Sequence, residues 1–479
     1  MIILRHGILA SSGEKILILS FETEASTNTF DPDFTVSSGI LNWDLGDAST
    51  SVNLNVFSHD YSQIGTKTVK VYPGTTDGSL AITKIEMQYD SLIGILDITS
   101  LSNLEVFSVY GNYNLTEVLN PDSSTIFTEY SISNCDLTGV LDVSGLTGLG
   151  TYFSVHNNDN LTQILNPTSS EVLSVYYAHE CDLTGTLDVS GLTGLGGQFY
   201  THNNPNLTNI LNPDSSQTFS FYRADGCDLT GTLDVSGLTG LGGIFKVYNN
   251  DNLTQILNPD SSEVFTEYLV HECDVSGILD ISGLTSLGGD FRAQENSNLT
   301  QILNPDSSQV FLRYYAFDCS LTGALDVSGL TLGGDFKAYG NLNLTQILNP
   351  SSNETFTHYY TYDCDLTGVL DVSGLTGLGG IFKVYNNDNL TQILLPDISV
   401  NFTEFNIKDC SLDLTTVNDI FSKFDTWYTA NTPNVDTIIN TSGGTNSPPT
   451  DGSSNTNLVN ILDIFDGTAY DASITINYP

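Results

Sequence analysis

The chain has 479 residues, 39% of them hydrophobic, and sets 13 Lys+Arg against 56 Asp+Glu for a formal net charge of -43. That charge excludes general affinity for nucleic acid or an anionic membrane surface, since both need a basic footprint. Acidic disorder is excluded by 23 Tyr and 23 Phe, and no apolar run nears the ~20 residues that cross a bilayer.

The chain opens MIILRHGILASSGEK, where Arg5 and His6 split the apolar stretches. No h-region of ~7–15 residues is left, so a secretory signal is not expected. Residues 17–75 carry short β-rich runs: ILILSF, FTV, ILNW, VNLNVFS and TKTVKVY. Among them Trp43-Asp44-Leu45-Gly46-Asp47 precedes Ser58-His59-Asp60-Tyr61 and Gly65-Thr66-Lys67-Thr68-Val69. These motifs resemble the polycystic-kidney-disease (PKD) type of Ig-like β-sandwich, with Ala48 and Lys67 departing from its usual Gly and aromatic. The resemblance implies a core role for Trp43, a turn shaped by Gly46 and Asp47, and no catalytic residue. A sandwich here would shield the first turn of the array that follows.

Residues 76–412 repeat. Seven cysteines (Cys135, Cys181, Cys227, Cys273, Cys319, Cys364, Cys410) recur every 46 residues, once 45, with Asn112, Asn158, Asn204, Asn250, Asn296, Asn341 and Asn387 between them. The period is therefore 23, and Asp90 in an earlier slot makes fifteen turns. Each turn reads like Phe127-x-x-Tyr130-x-Ile132-x-x-Cys135-x-Leu137, which resembles the leucine-rich repeat L-x-x-L-x-L-x-x-N/C-x-L. The expected fold is mainly β: a leucine-rich-repeat β-solenoid with a parallel sheet, an N-terminal β-sandwich and a small C-terminal α/β cap. Inward Asn and Cys should bond neighbouring turns as a ladder.

Consecutive cysteines lie two turns apart, ~9–10 Å at ~4.8 Å per strand, beyond the ~7 Å a disulfide tolerates. They are expected to be buried free thiols, neither a disulfide framework nor a metal cluster. The Asn-Leu-Thr triplets at Asn114, Asn160, Asn206, Asn252, Asn298, Asn343 and Asn389 match glycosylation sequons but read as repeat geometry. Asp142, Asp188, Asp234, Asp280, Asp326 and Asp371 recur in identical LDVSG or LDISG units. A solvated acidic ridge is the favoured reading for them over a weak Ca²⁺ row.

After Cys410 the period stops. Within residues 413–479, TTVNDIFSKFDTWY spaces Val417, Ile420, Phe421, Phe424 and Trp427 as a helix. VDTIIN (strand), SGGTNSPPTDGSS (loop), NLVNILDIF (helix) and ASITINY (strand) follow. The segment resembles the closing module found after repeats and fibre segments in Bacteroidetes bacteria and their phages, which implies a cover for the solenoid's open edge.

No Gly-rich phosphate loop, HExxH or G-x-S-x-G occurs, so no enzyme, catalytic residue, metal or cofactor is expected. Outward strand positions hold all seven array bases: Arg223, Lys246, Arg292, Arg313, Lys337, Lys383 and Lys408. They also hold His156, His179, His202, His271 and His358, with Tyr110, Tyr152, Tyr177, Tyr200, Phe221, Tyr248, Tyr315, Phe317, Tyr339, Tyr360, Tyr362 and Tyr385. One account is plain cross-strand pairing, with Asp225, Glu267, Asp290, Asp335 and Glu404 neutralising the bases. The other is a ligand groove from about Tyr177 to Tyr385 for sugars, acidic glycans or a protein; Ser108, Ser131 and Ser154 leave the earlier turns outside it. The functional expectation is a phage virion surface, fibre or decoration protein that attaches to host glycans or proteins. Residues 1–16, which resemble short anchor tails, would dock on other virion proteins; no nucleic acid or membrane insertion is expected, and a homo-oligomer stays open. The alternative is a bacterial cell-surface adhesin.

Overall fold

The computed structural model describes residues 19–25, 30–36, 41–45, 55, 58–59, 65–73, 82–122, 126–169, 171–306, 309–352, 354–397, 402–430, 437–441, 446 and 474–477. The expected tether at 1–16, Gly46 and Asp47 of the sandwich motif, and the helix read in NLVNILDIF lie outside these residues. The fold is mainly β, a parallel solenoid of about 14 turns of about 23 residues. The fifteen turns expected from the sequence are thus corrected to about 14, because fifteen slots enclose only fourteen intervals. The chain divides into two compact units, Met1–Phe219 and Ser220–Pro479, with the division inside the strand Phe219–Arg223.

The first unit opens with β1 (Leu19–Ala25), β2 (Asp33–Val36), β3 (Leu41–Asp44) and β4 (Gly65–Pro73), followed by β5 (Ile82–Glu86) and β6 (Leu92–Asp97). β4 pairs antiparallel with both β1 and β3. β1 then joins β6 through Glu22↔Ile93 and Thr23↔Leu92, while β2 pairs antiparallel with β5. β5 begins the parallel front sheet and β6 the back of the first turn, so the entry strands cover both of their edges. Trp43 is fully buried, with Phe34 and Phe30 edge-on at 4.8 and 6.2 Å.

Each later turn is a front strand, a ladder slot, a back strand and a loop. Front strands such as Phe219–Arg223 bury their first and fourth residues, and the inward rings stack through the core in each unit. In the first unit Tyr130, Phe153 and Tyr176 follow one another at 5.5 and 4.9 Å. In the second, Tyr268 follows Phe245 at 5.0 Å and Tyr314 follows Phe291 at 4.8 Å. Tyrosine takes alternate turns because its buried hydroxyl has a partner there: Tyr268 donates to Asn258 Oδ1 at 2.9 Å, and Asn258 Nδ2 donates to Asp280 O. A buried hydroxyl without that partner would be costly.

The ladder alternates for a related reason. In an asparagine turn the leucine amide lies three residues beyond the slot and bonds the slot's own carbonyl, as Leu161 N does to Asn158 O at 2.9 Å. In a cysteine turn it lies only two residues beyond and instead reaches the next turn's asparagine, Leu137 N to Asn158 Oδ1 at 3.1 Å. Asn158 Nδ2 donates to Ile132 O of the previous turn and Val155 O of its own. The extra residue of the asparagine turn is absorbed at Thr162, where the back-strand register shifts beside Gly139, a glycine at φ +69°.

At the far end α1 (Leu414–Ala430) sets Phe424 against Phe402 and Phe405 at 5.8 and 5.2 Å. Strands Thr437–Asn440 and Ile474–Asn477 then extend the parallel front sheet. Asn446 of the GGTN motif makes the bonds of a ladder asparagine. Its Oδ1 accepts Leu412 N at 2.9 Å and its Nδ2 donates to Ile407 O at 3.0 Å. Leu412 and Ile407 stand to Cys410 as Leu137 and Ile132 stand to Cys135, so Asn446 is one further rung.

All seven cysteines are buried free thiols. Burial pushes the thiol of Cys181 up to about 12, and its Sγ points at Val155 O, 3.4 Å away. A thiol reagent at pH 8 should therefore label none of the seven in the folded protein and all of them after guanidinium unfolding. Stoichiometric labelling of the native state would contradict the buried ladder. Five of the sequon asparagines donate to an aspartate of the preceding turn, Asn160 Nδ2 to Asp136 Oδ1 at 2.8 Å among them, and Thr162 Oγ1 donates to Gly139 O at 2.9 Å. The ridge aspartates close turns, Asp142 Oδ1 accepting both Ser144 N and Ser144 Oγ at 3.0 and 2.6 Å.

Candidate functional site on the front sheet

Because side chains alternate across a strand, each front strand presents three outward positions, and parallel register stacks these into columns. Tyr152, Ser154 and His156 mark them in one turn; Val175, Tyr177 and His179 follow in the next. Like residues thus meet at the inter-strand spacing, where flat rings can stack.

In the first unit the outermost column stacks His156, His179 and His202 at 4.6 and 4.5 Å, within 8° of parallel. Beside it Tyr177 stacks on Tyr200 at 4.8 Å, and the Tyr177 hydroxyl donates to Gln198 Oε1. Burial lowers the pKa of His156, so this imidazole is neutral near pH 7.

In the second unit the outermost column stacks Tyr248 on His271 at 4.7 Å, then Phe317, Tyr339, Tyr362 and Tyr385 at 4.6, 4.5 and 4.5 Å. The middle column interleaves cations with rings. Lys337 lies 4.5 Å from the Tyr315 ring and 5.5 Å from Tyr360, with Arg292 and Lys383 5.5 Å from Tyr315 and Tyr360 respectively. Such contacts contribute ~0.5–1 kcal/mol each at exposed sites.

Each array base has an acidic partner. Arg223 meets Asp225 at 2.9 Å, Lys246 Glu267 at 2.7 Å, and Arg292 and Arg313 share Asp290 at 3.2 and 2.6 Å. Lys337 meets Asp335 at 3.5 Å, Lys383 Glu404 at 3.0 Å, and Lys408 Asp409 at 3.6 Å. Asp335 is the most connected. Burial would raise its pKa, but hydrogen bonds from Thr357, His358 and Tyr315 hold it at about 2. Burial also pushes the hydroxyls of Tyr315 and Tyr360 up to about 12, so both remain donors at neutral pH.

The sequence places nineteen candidate residues on this face. Tyr177, His179, Tyr200 and His202 belong to the first unit. Arg223, Lys246, Tyr248, His271, Arg292, Arg313, Tyr315, Phe317, Lys337, Tyr339, His358, Tyr360, Tyr362, Lys383 and Tyr385 belong to the second. All stand on front-sheet outward positions, yet outward does not mean bare: His202 and His271 are only 6% and 9% exposed. Within a stack the ring faces cover each other, and the edges, hydroxyls and ion-pair heads are what meet solvent.

A hollow of about 610 Å³ opens where no site was expected, among the serine turns of the first unit. Tyr110, Glu129, Ser131, Ser133, Tyr152 and His156 are among its lining. The signal available in the sequence is the small residue Ser133 interrupting an aromatic column. No protein-family model matches the sequence, and a search of curated proteins finds no match either.

Proposed function

We propose that the protein is a non-enzymatic recognition scaffold whose front sheet in the second unit binds a host-surface glycan or protein. The supporting observation is where the turns differ. Their framework is copied almost verbatim: NLTQIL forms the back strand at Asn160–Leu165, Asn252–Leu257, Asn343–Leu348 and Asn389–Leu394. The front strands at the same period read EYL, DFR, RYY, DFK and HYY. Variation concentrated on the front strands of a repeat array is what a recognition surface needs.

The face available there is a comb of tyrosine hydroxyls and ring edges set among neutralised ion pairs, a surface suited to hydrogen bonding rather than to bulk charge attraction. For its setting we adopt the reading carried by sequence resemblance alone: display on a phage virion, with a bacterial surface adhesin as the second reading.

The test is binding of the purified chain to whole cells and to a panel of neutral and acidic glycans. Changing Tyr315, Tyr360 and Tyr362 together to Ser should weaken binding at least ~10-fold, the scale of 1.4 kcal/mol. Changing Arg223, Lys246, Arg292, Lys337 and Lys383 to Ser uncovers their acids and should weaken acidic ligands more than neutral ones. Wild-type protein that binds nothing, or a tyrosine variant that binds as well as wild type, would sink the proposal.

A further inference from the structure

In the first unit the outermost column is a stack with one ring missing. Hydrogen bonds from Gly111 N to Ser133 O at 2.9 Å and from Asn134 N to His156 O at 3.0 Å place Tyr110, Ser133 and His156 in successive turns of it. One side continues as the histidine stack, which covers the far face of His156. Tyr89 meets Tyr110 edge-on, ring centroids 5.3 Å apart, and lines the same hollow. Two strand steps span about 9.5 Å, and a ring held between two others needs about 4.5 Å on each side. The gap over Ser133 is therefore one ring thick, with an aromatic residue at each end.

Its floor and rim are polar. Ser131 and Ser133 are each only 4% exposed, and among the described residues neither side chain makes a hydrogen bond. Glu129 reaches the rim, and neither Lys nor Arg lines the hollow. His156 Nδ1 is paired with Ser154 Oγ at 2.8 Å, which fixes the imidazole plane and leaves Nε2 for another partner.

We infer that the slot over Ser133 binds one neutral hexose unit of a glycan, clasped between Tyr110 and His156. A pyranose chair has the thickness of the gap and sets C–H faces against both rings. Its equatorial hydroxyls lie in the plane where Ser131, Ser133 and Glu129 can bond them. An aromatic side chain would match the thickness but strand the serine hydroxyls and the Glu129 carboxylate away from water, which is unfavourable. An acidic sugar would meet Glu129 and a chain of net charge -43 with no Lys or Arg in the lining to offset them. The hollow has room for one or two sugar units. This site does not depend on any binding by the second unit.

The test is a saturation-transfer NMR titration of the full chain with methyl β-glucopyranoside, methyl β-galactopyranoside, N-acetylglucosamine, sodium glucuronate and p-cresol. At least one neutral sugar should bind with a Kd of ~1 mM, and glucuronate should bind more weakly. Ser133→Tyr fills the slot with the residue type that this column already carries at Tyr110 and Tyr248, and should lower affinity more than ~10-fold. Tyr110→Ala opens one wall and should lower it similarly, which keeps the test alive if the first variant misfolds. Tyr362→Ser, in the second unit, should leave sugar binding here unchanged. The inference is overturned if no neutral sugar binds, if a folded Ser133→Tyr protein binds as tightly as wild type, or if p-cresol binds and the sugars do not.

Discussion

Asn250→Ala should lower the unfolding free energy by about 4 kcal/mol, several times the loss expected from an average surface substitution. Asn250 is fully buried. Its Nδ2 donates to Ala224 O at 3.0 Å and Val247 O at 2.6 Å, and its Oδ1 accepts Leu229 N at 3.1 Å. Alanine leaves three backbone groups in two turns short of a partner inside the core, at ~1–3 kcal/mol each before relaxation. Asn250→Cys should be milder by about a third. A thiol can still point at the carbonyls, as Cys273 does at Val247 O (3.4 Å), but it offers Leu229 N no good acceptor. Because a solenoid can open locally, the measurement should pair guanidinium unfolding with hydrogen exchange at the Leu229 amide. A cost below ~1 kcal/mol with that amide still protected would show that the ladder is incidental to stability.

Much of this was legible in the sequence because it depends on period and polarity alone. Cysteines two turns apart cannot pair, and the regular alternation of Asn and Cys marks the ladder before any coordinates. The helical spacing of Val417, Ile420, Phe421, Phe424 and Trp427 announces α1, and all five are buried. What stayed hidden depends on how side chains lie, which residue type does not encode. Outward position assigns Tyr339 and Tyr362 to a face; it does not say that they stack at 4.5 Å and consume each other's ring faces. Nor does a basic stripe announce that each base bends to a carboxylate on its own or an adjacent strand. The slot over Ser133 is hidden for the opposite reason: a small residue looks like the end of a surface, whereas between Tyr110 and His156 it makes room. Asn446 lies in a stretch whose composition is that of a loop, since nothing local distinguishes a loop asparagine from a rung.

Asp90→Asn should raise stability by several kcal/mol at pH 8 and by almost nothing attributable to charge at pH 4. Asp90 occupies the first slot of the ladder, 2% exposed. One carboxyl oxygen accepts Asp31 N at 2.5 Å, while the other, Oδ2, has no partner. Burial, the dominant cause, pushes its pKa from 3.8 up to about 7. Below pH ~4 the carboxyl is protonated in both states and has no pH-dependent effect. Between ~4 and ~7 the unfolded chain has released the proton that the folded chain keeps, so stability falls as pH rises, by up to ~1.4 kcal/mol per unit. Above ~7 both states are ionised and the loss is complete. Asparagine cannot ionise, and its Nδ2 can bond the carbonyl three residues back, as Asn112 bonds Val109 O at 2.5 Å. Thermal melts of both proteins from pH 4 to pH 8 should therefore diverge progressively, the wild type falling behind. A constant gap would assign the gain to that hydrogen bond instead of to ionisation, and no gap at pH 8 would mean that the first rung takes up its charge without cost. The entry strands make this arrangement possible: Asp31 gives Asp90 the amide that Leu92 gives Asn112, so the rung is satisfied on one side by a segment outside the repeat.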